Sequence, residues 1–237
     1  MVLYSYAKTH TAKKRKRILS FISLSLIISG ITLLFLVLFP IISFELFYTP
    51  KFGKLIGPIP NENIVQTLGT EFSQALGGTN VDYTKASVWF PKAVNIRLAV
   101  SPSSYTLSIP KLRIENATVI VGGEDLSKSL IHFTGPLPGN YGNPVIFGHS
   151  TLPFLYNPKE YKTIFTKLPD LVKGDDIFVT TDNVTYRYKV YDMRVTSPDD
   201  LSVLEQYYDS SYLTLVTCVP PGTYLKRLII KAKLEKM

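Results

Sequence analysis

A single cysteine, Cys218, serves all 237 residues, so no intramolecular disulfide can form and the fold must be held by its core. Histidine is nearly as scarce, with His10, His132 and His149 the whole supply, and there is one tryptophan, Trp89. No cluster of acidic residues stands out as a calcium site, and neither a repeat nor a low-complexity tract is present, so no metal and no cofactor is expected. Acidic residues are missing altogether from the first seventeen positions, which carry Lys8, Lys13, Lys14, Arg15, Lys16 and Arg17. Those six cations account for most of the formal charge of +8 and leave only +2 for the rest. Beyond them no basic run interleaved with aromatics remains, which argues against a nucleic-acid interface.

Charge of either sign is absent from residues 18–39. These 22 positions, as a helix, suffice to cross a hydrocarbon layer of roughly 30 Å. The following residues, Pro40 to Phe47, are bulky and offer no small-residue cleavage site, so an uncleaved signal anchor is expected rather than a signal peptide. With the cations on its N-terminal side, the segment 1–17 should stay in the cytoplasm and the remainder should be exported. The chain then divides into a cytoplasmic basic segment (1–17), a transmembrane anchor (18–44), a juxtamembrane linker with an N-terminal arm (45–104) and a compact domain (105–237).

Within 45–104, residues 51–61 are rich in Pro and Gly, and 61–76 has the apolar spacing of a short amphipathic helix ended by Gly77-Gly78. Residues 81–91 hold Trp89 and read either as an arm packed on the domain or as a flap covering a site. From Tyr105 onward the punctuation is that of an all-β fold. Strands are expected at 105–109, 118–121, 144–148, 177–181, 185–193, 213–217 and 225–234, with a helix at 159–168 and a single helical turn at 125–130. So many short strands in about 130 residues indicate a closed or nearly closed barrel.

The chemistry concentrates around Cys218. Alternating β-formers precede it, Pro220, Pro221 and Gly222 force a turn after it, and a second strand carries Arg227 near its start. If the two strands pair, a thiol and a permanently charged guanidinium stand at the same end of one sheet. A thiol attacks only as thiolate, and a neighbouring imidazole is one way to favour that form. His10 lies on the cytoplasmic side; His149 follows a strand and a small glycine, Gly148; His132 is the second choice. A free cysteine can equally be an inert core residue.

The motifs occur in the order found in sortases, the membrane-anchored cysteine transpeptidases of bacterial surfaces, and the chain resembles that family over about 105–234. Ser108-Ile109-Pro110-Lys111-Leu112-Arg113-Ile114 resembles the family's opening strand, and the stretch from Gly135 through Asn143-Pro144-Val145-Ile146-Phe147-Gly148-His149 resembles the approach to its histidine. Thr214-Leu215-Val216-Thr217-Cys218 matches the TLxTC signature, with Arg227 as the arginine that follows. The resemblance implies an eight-stranded β-barrel in which Cys218 forms a thioacyl intermediate with a sorting signal and His149 is the general acid and base. It further implies that Arg227 binds the substrate backbone or oxyanion, and that Thr217 is a substrate or oxyanion contact. The partners implied are sorting-signal-bearing surface proteins and an amine acceptor on cell wall or protein. No second hydrophobic span and no DPW- or DPF-type lid motif is present, so a housekeeping or class D or E type is expected. A peptidase that only hydrolyses and a non-catalytic peptide-binding β-domain are the competing readings. Protease added to intact cells is expected to digest the chain after Phe44 and to spare an epitope fused before the first residue; the reverse pattern would refute the orientation.

Overall fold

The computed structural model describes residues 11–52, 82–90, 93 and 104–235. The amphipathic helix expected at 61–76 lies outside them. The chain divides into two units, 1–42 and 43–237. In the first, the long helix α1 (Thr11–Ser43) exposes its apolar side chains from Ile18 to Phe39, and it is the one described helix long and apolar enough to cross a membrane.

The second unit is a closed eight-stranded barrel. Its strands are β1 (Ser104–Ile109), β2 (Ile114–Val121), β3 (Leu130–Thr134), β4 (Val145–Phe147), β5 (Asp176–Thr181), β6 (Val184–Thr196), β7 (Tyr212–Val219) and β8 (Lys226–Leu234). Around the barrel they run β1-β2-β3-β4-β7-β8-β6-β5, and closure leaves no unpaired edge. Successive side chains on a strand point to opposite faces, so alternation sorts the residues into two sets. Tyr105, Leu107, Ile109, Ile146, Ile177, Val179, Leu213, Leu215, Leu228 and Ile230 fill the interior. Each large apolar side chain so buried contributes roughly 1.5–3 kcal/mol. Phe44, in the π-helical turn Phe44–Tyr48, and Phe52, which follows the 3-10 turn Thr49–Lys51, join this cluster, and the Tyr48 hydroxyl donates to Asp170 at 2.8 Å.

A second apolar cluster lies outside the barrel wall, where Phe133 of β3, Val145 and Phe147 of β4, Val216 of β7 and Ile229 of β8 meet Leu126, Val203 and Leu204 from flanking loops. Four arm residues, Ala86, Trp89, Phe90 and Ala93, complete it. The central strands β4 and β7 are therefore buried on both faces.

Two local expectations are corrected. Residues 159–168 form turns and a short 3-10 segment (Leu168–Asp170) instead of an α-helix. The cause is local: the Thr163 hydroxyl donates to the Asn157 carbonyl at 2.8 Å, and the Asn157 side chain accepts from the Lys159 N–H, so side chains offer the backbone an alternative to helix bonds. In addition, 130–134 is a strand, β3, that was not among the strands expected. His132 pairs in register with Ile146 and Val121, which places its ring inside the barrel. There Nδ1 accepts from the Tyr105 hydroxyl at 3.1 Å, and Nε2–H is shared between the carbonyls of Thr134 and Gly135. Burial holds its pKa down to about 4, so the ring is neutral at pH 7. His132→Ala opens a cavity and strands three buried polar groups, and a loss of about 2–4 kcal/mol is expected. Thermal unfolding of the detergent-solubilised chain measures it; an unchanged midpoint would refute the interior role.

Candidate active site

Three adjacent strands deliver three side chains in one row. In the antiparallel pair β7–β8, Cys218 stands directly opposite Arg227. In the parallel pair β4–β7, Phe147 is level with Val216, and two residues further along the same faces are His149 and Cys218. Strand neighbours lie about 4.8 Å apart, so the row His149, Cys218, Arg227 crosses the end of the sheet on its outer face, away from the barrel interior. Thr196 of β6, opposite Arg227, extends it.

The chain on either side of His149 is tied to the cysteine strand. The Gly148 N–H donates to the Val216 carbonyl at 3.1 Å and its own carbonyl accepts from the Thr217 hydroxyl at 2.8 Å. One residue after the histidine, the Ser150 hydroxyl donates to the Cys218 carbonyl at 2.6 Å, and the Phe165 N–H donates to the His149 carbonyl at 2.9 Å. The glycine is required on steric grounds: a Cβ at Gly148 would lie 2.4 Å from the Phe165 ring and 2.7 Å from Leu130. The small residue thus makes room for Phe165 and Leu130.

Arg227 is fixed by backbone carbonyls. Nη1 donates to the Tyr224 carbonyl at 2.9 Å and Nη2 to the Trp89 carbonyl at 3.1 Å, while its buried Nε finds no partner. Its guanidinium also lies over the Trp89 ring, 5.4 Å from the centroid. Trp89 is the residue that sequence reasoning left out of the site. Its indole stacks on Phe147 and meets the His149 ring edge-on at 5.5 Å. The arm that carries it is anchored by an Ala86 N–H to Glu124 carbonyl bond, a Leu126 N–H to Thr84 carbonyl bond, and stacking of Tyr83 on Tyr224 at 3.9 Å. The sequence reading placed Trp89 in a segment, 81–91, that was either an arm packed on the domain or a flap over a site, without giving the tryptophan itself a role.

Under this cover Cys218, Arg227 and His149 are 1%, 2% and 6% exposed. Burial pushes the Cys218 thiol up, and the facing Arg227 charge offsets only part of that. Burial also holds His149 down to about 4, against the carboxylates of Asp125 and Asp82, which favour its protonated form. Both shifts favour a neutral thiol and a neutral imidazole over the charged pair. Thr217 is fully buried with its hydroxyl committed to Gly148. His132, inside the barrel, is not part of the row. Among the described residues no group of His, Cys, Asp and Glu is arranged to hold a metal.

Residues 107–235 match a family model described as a sortase domain. The chain belongs to the sortase family. It is 27% identical to sortase D of Bacillus subtilis (strain 168) over 137 residues, 55% of this chain and 63% of that protein. It is 32% identical to sortase A of Streptococcus agalactiae serotype III (strain NEM316) over 75 residues, 32% of this chain and 30% of that one. Both matches span less than two thirds of the relative's length. Among solved structures, the sortase fold is shared with a pilus-related sortase C of Group B Streptococcus (TM-score 0.50, 25% identical, covering 74% of this chain and 92% of that one). It is also shared with sortase C-1 of Actinomyces oris (TM-score 0.51, 23% identical, covering 73% and 99%).

In this sortase, removal of the indole should rehydrate the row. The Cys218 pKa then falls toward its ordinary value, and at pH 7 each unit of fall multiplies the thiolate tenfold. Trp89→Ala is expected to speed alkylation of Cys218 by iodoacetamide about tenfold or more, and Trp89→Phe much less. Equal rates in all three proteins would refute the covering role.

Proposed function

We propose that this sortase is a cysteine transpeptidase that cleaves a sorting signal in surface proteins and transfers the acyl part to an amine of the cell envelope. The observation that carries the reading is the row of His149, Cys218 and Arg227 on three neighbouring strands. The Cys218 proton passes to His149 as sulfur attacks the scissile carbonyl carbon; the C–N bond breaks and the imidazolium protonates the departing amine. In the second half, an acceptor amine attacks the thioester carbonyl, His149 takes its proton and Cys218 leaves as thiolate. Arg227, whose Nη2 already holds the Trp89 carbonyl, offers the same donors to a substrate carbonyl or to the developing oxyanion. Thr217, fully buried, serves the site by fixing Gly148; with its hydrogen donated there, its oxygen can contact a substrate only as an acceptor.

The outer apolar groove suits an extended peptide, and in this state Ala86, Trp89, Phe90 and Ala93 occupy it. The segment therefore behaves as a flap that a substrate displaces, even though the sequence lacks a DPW- or DPF-type motif. The apolar helix α1 anchors the enzyme in the plasma membrane, with the basic segment cytoplasmic and the barrel outside.

A second reading, that the protein binds peptides without catalysis, draws on the packing of Cys218 within the outer apolar cluster. Intact-mass analysis of the chain incubated with candidate sorting peptides, with and without triglycine, separates the readings. The proposed enzyme gains the acyl mass at Cys218 and converts it to an amine-linked product. A peptidase that only hydrolyses gives no amine-linked product, and a binding domain gives no adduct. Cys218→Ala should abolish the adduct; His149→Ala should slow both half-reactions by ~10²–10⁴-fold. Residual transfer above background in Cys218→Ala would end the cysteine mechanism.

A further inference from the structure

The barrel unit leaves few phenylalanines and leucines in water, and they are not scattered. Among its described residues the exposed ones are Leu46, Phe47, Phe154 and Leu155, each 53% exposed or more. The first pair belongs to the turn Phe44–Tyr48, through which the chain enters the unit, and the second to the 3-10 turn Pro153–Leu155 that follows His149. The other large apolar residues exposed on this unit are tyrosines, which carry a polar tip, and two valines, Val172 and Val184. A single exposed apolar side chain is ordinary, whereas several brought together mark an interaction surface.

Distant in sequence, the two turns are joined through a third, Leu168–Asp170. The Tyr48 hydroxyl, next to Phe47, donates to Asp170 at 2.8 Å, and the Asp170 N–H donates to the Lys167 carbonyl at 2.9 Å. The Lys167 ammonium in turn lies over the ring of Tyr156, next to Leu155, 4.6 Å from its centroid. Both turns also border the connection from β7 to β8. Lys226 pairs with Glu45 at 3.0 Å, and Leu152 packs so close to Gly222 that a Cβ there would lie 2.8 Å from its side chain. The two apolar pairs therefore stand at one end of the barrel, the end that carries Cys218, and exposed Val172 lies two residues beyond Asp170 at the same end.

The turn Pro153–Leu155 is held in its outward pose. The Leu155 N–H donates to the Leu152 carbonyl at 2.9 Å, the Tyr156 hydroxyl donates to the Leu112 carbonyl at 2.5 Å, and the Thr151 N–H donates to the Thr166 hydroxyl at 2.9 Å. A turn already fixed loses little freedom on docking. Chain continuity says what it docks on. The uncharged span 18–39 ends just before this unit, and the six residues 40–45 that separate it from Leu46 cover roughly 10 Å as helix. This end of the barrel is thereby kept at the lipid surface. There the Phe and Leu side chains can enter the boundary between headgroups and acyl chains, while exposed Lys51 and Lys167 reach the headgroup phosphates.

We propose that the turn Pro153–Leu155 is a second membrane contact, with Phe154 and Leu155 inserted beside Leu46 and Phe47 in the lipid interface, so that the barrel is held with its Cys218 end toward the bilayer. The proposal rests on anchoring of the chain by α1. To test it, a nitroxide is attached at Leu155→Cys, or at Val184→Cys on the β5–β6 turn at the opposite end, in the Cys218→Ala chain carried one copy per phosphatidylcholine and phosphatidylglycerol nanodisc. Collisions of the label with oxygen, which concentrates in lipid, and with a water-soluble nickel chelate are then measured. At position 155 nickel collisions should be about fivefold rarer than at 184, with oxygen collisions at least as frequent, as for a side chain seated in the interface. Phe154→Ser should raise nickel access at 155 to the level at 184, and Phe154→Trp should not; Phe154 is exposed, so neither change threatens the fold. Equal nickel access at the two positions would overturn the second contact, as would loss of oxygen and nickel access together, the mark of burial under protein. Protection seen only in nanodiscs carrying two copies would overturn it too and assign the patch to a second copy of the chain. A chain that fails to co-purify with nanodiscs refutes the α1 anchor itself, and the proposal with it.

Discussion

Strand β7 has no solvent face, and the organisation of the site follows from that constraint. A strand alternates its side chains, so Leu213, Leu215 and Val219 pack into the barrel while Val216 and Cys218 face outward. An outward face covered by nothing would leave an apolar stripe in water along β4, β7 and β8. Here the arm covers it, and its tryptophan satisfies the stripe with apolar contact and Arg227 with a carbonyl. The packing that buries the Cys218 sulfur and the packing that stabilises the outer sheet face are the same contacts. Displacing the arm would therefore expose apolar surface unless another apolar chain took its place.

Much of this was legible in the sequence, for identifiable reasons. Strands β7 and β8 announce themselves by β-branched residues broken by Pro220, Pro221 and Gly222, and their pairing fixes Cys218 opposite Arg227 almost without further information. The position of His149 followed from the strand before it. What the sequence did not reveal is instructive in physical terms. Strand β3 is buried on both faces, so it carries no alternation, and it is only five residues long. The helix expected at 159–168 was defeated by the short-range hydrogen bonds of Thr163 and Asn157, which a search for apolar spacing ignores. The place of Trp89 is set by contacts to strands more than forty residues away in the chain, and no local pattern encodes such a distance.

The two histidines show how far register discriminates. Both are buried and both are held neutral, His132 and His149 alike with pKa values pushed down to about 4. Only the face of the sheet separates them. His132 lies level with Ile146 on the interior side, its two nitrogens fully engaged by Tyr105, Thr134 and Gly135. His149 follows Phe147 on the outer side, and its ring nitrogens make no hydrogen bond to a described residue. A ring with both nitrogens committed is a structural strut; one with both uncommitted is free to carry a proton.

The cover over Cys218 also bears on the chemical lifetime of the protein. Oxidants attack the thiolate far more readily than the thiol, and a first oxidation to sulfenic acid is normally rescued by condensation with a second thiol. This chain has no second cysteine to supply one. A sulfur kept protonated and dry beneath Trp89 is consequently shielded from the one reaction that the molecule has no internal means to reverse, and any displacement of the arm would end that protection.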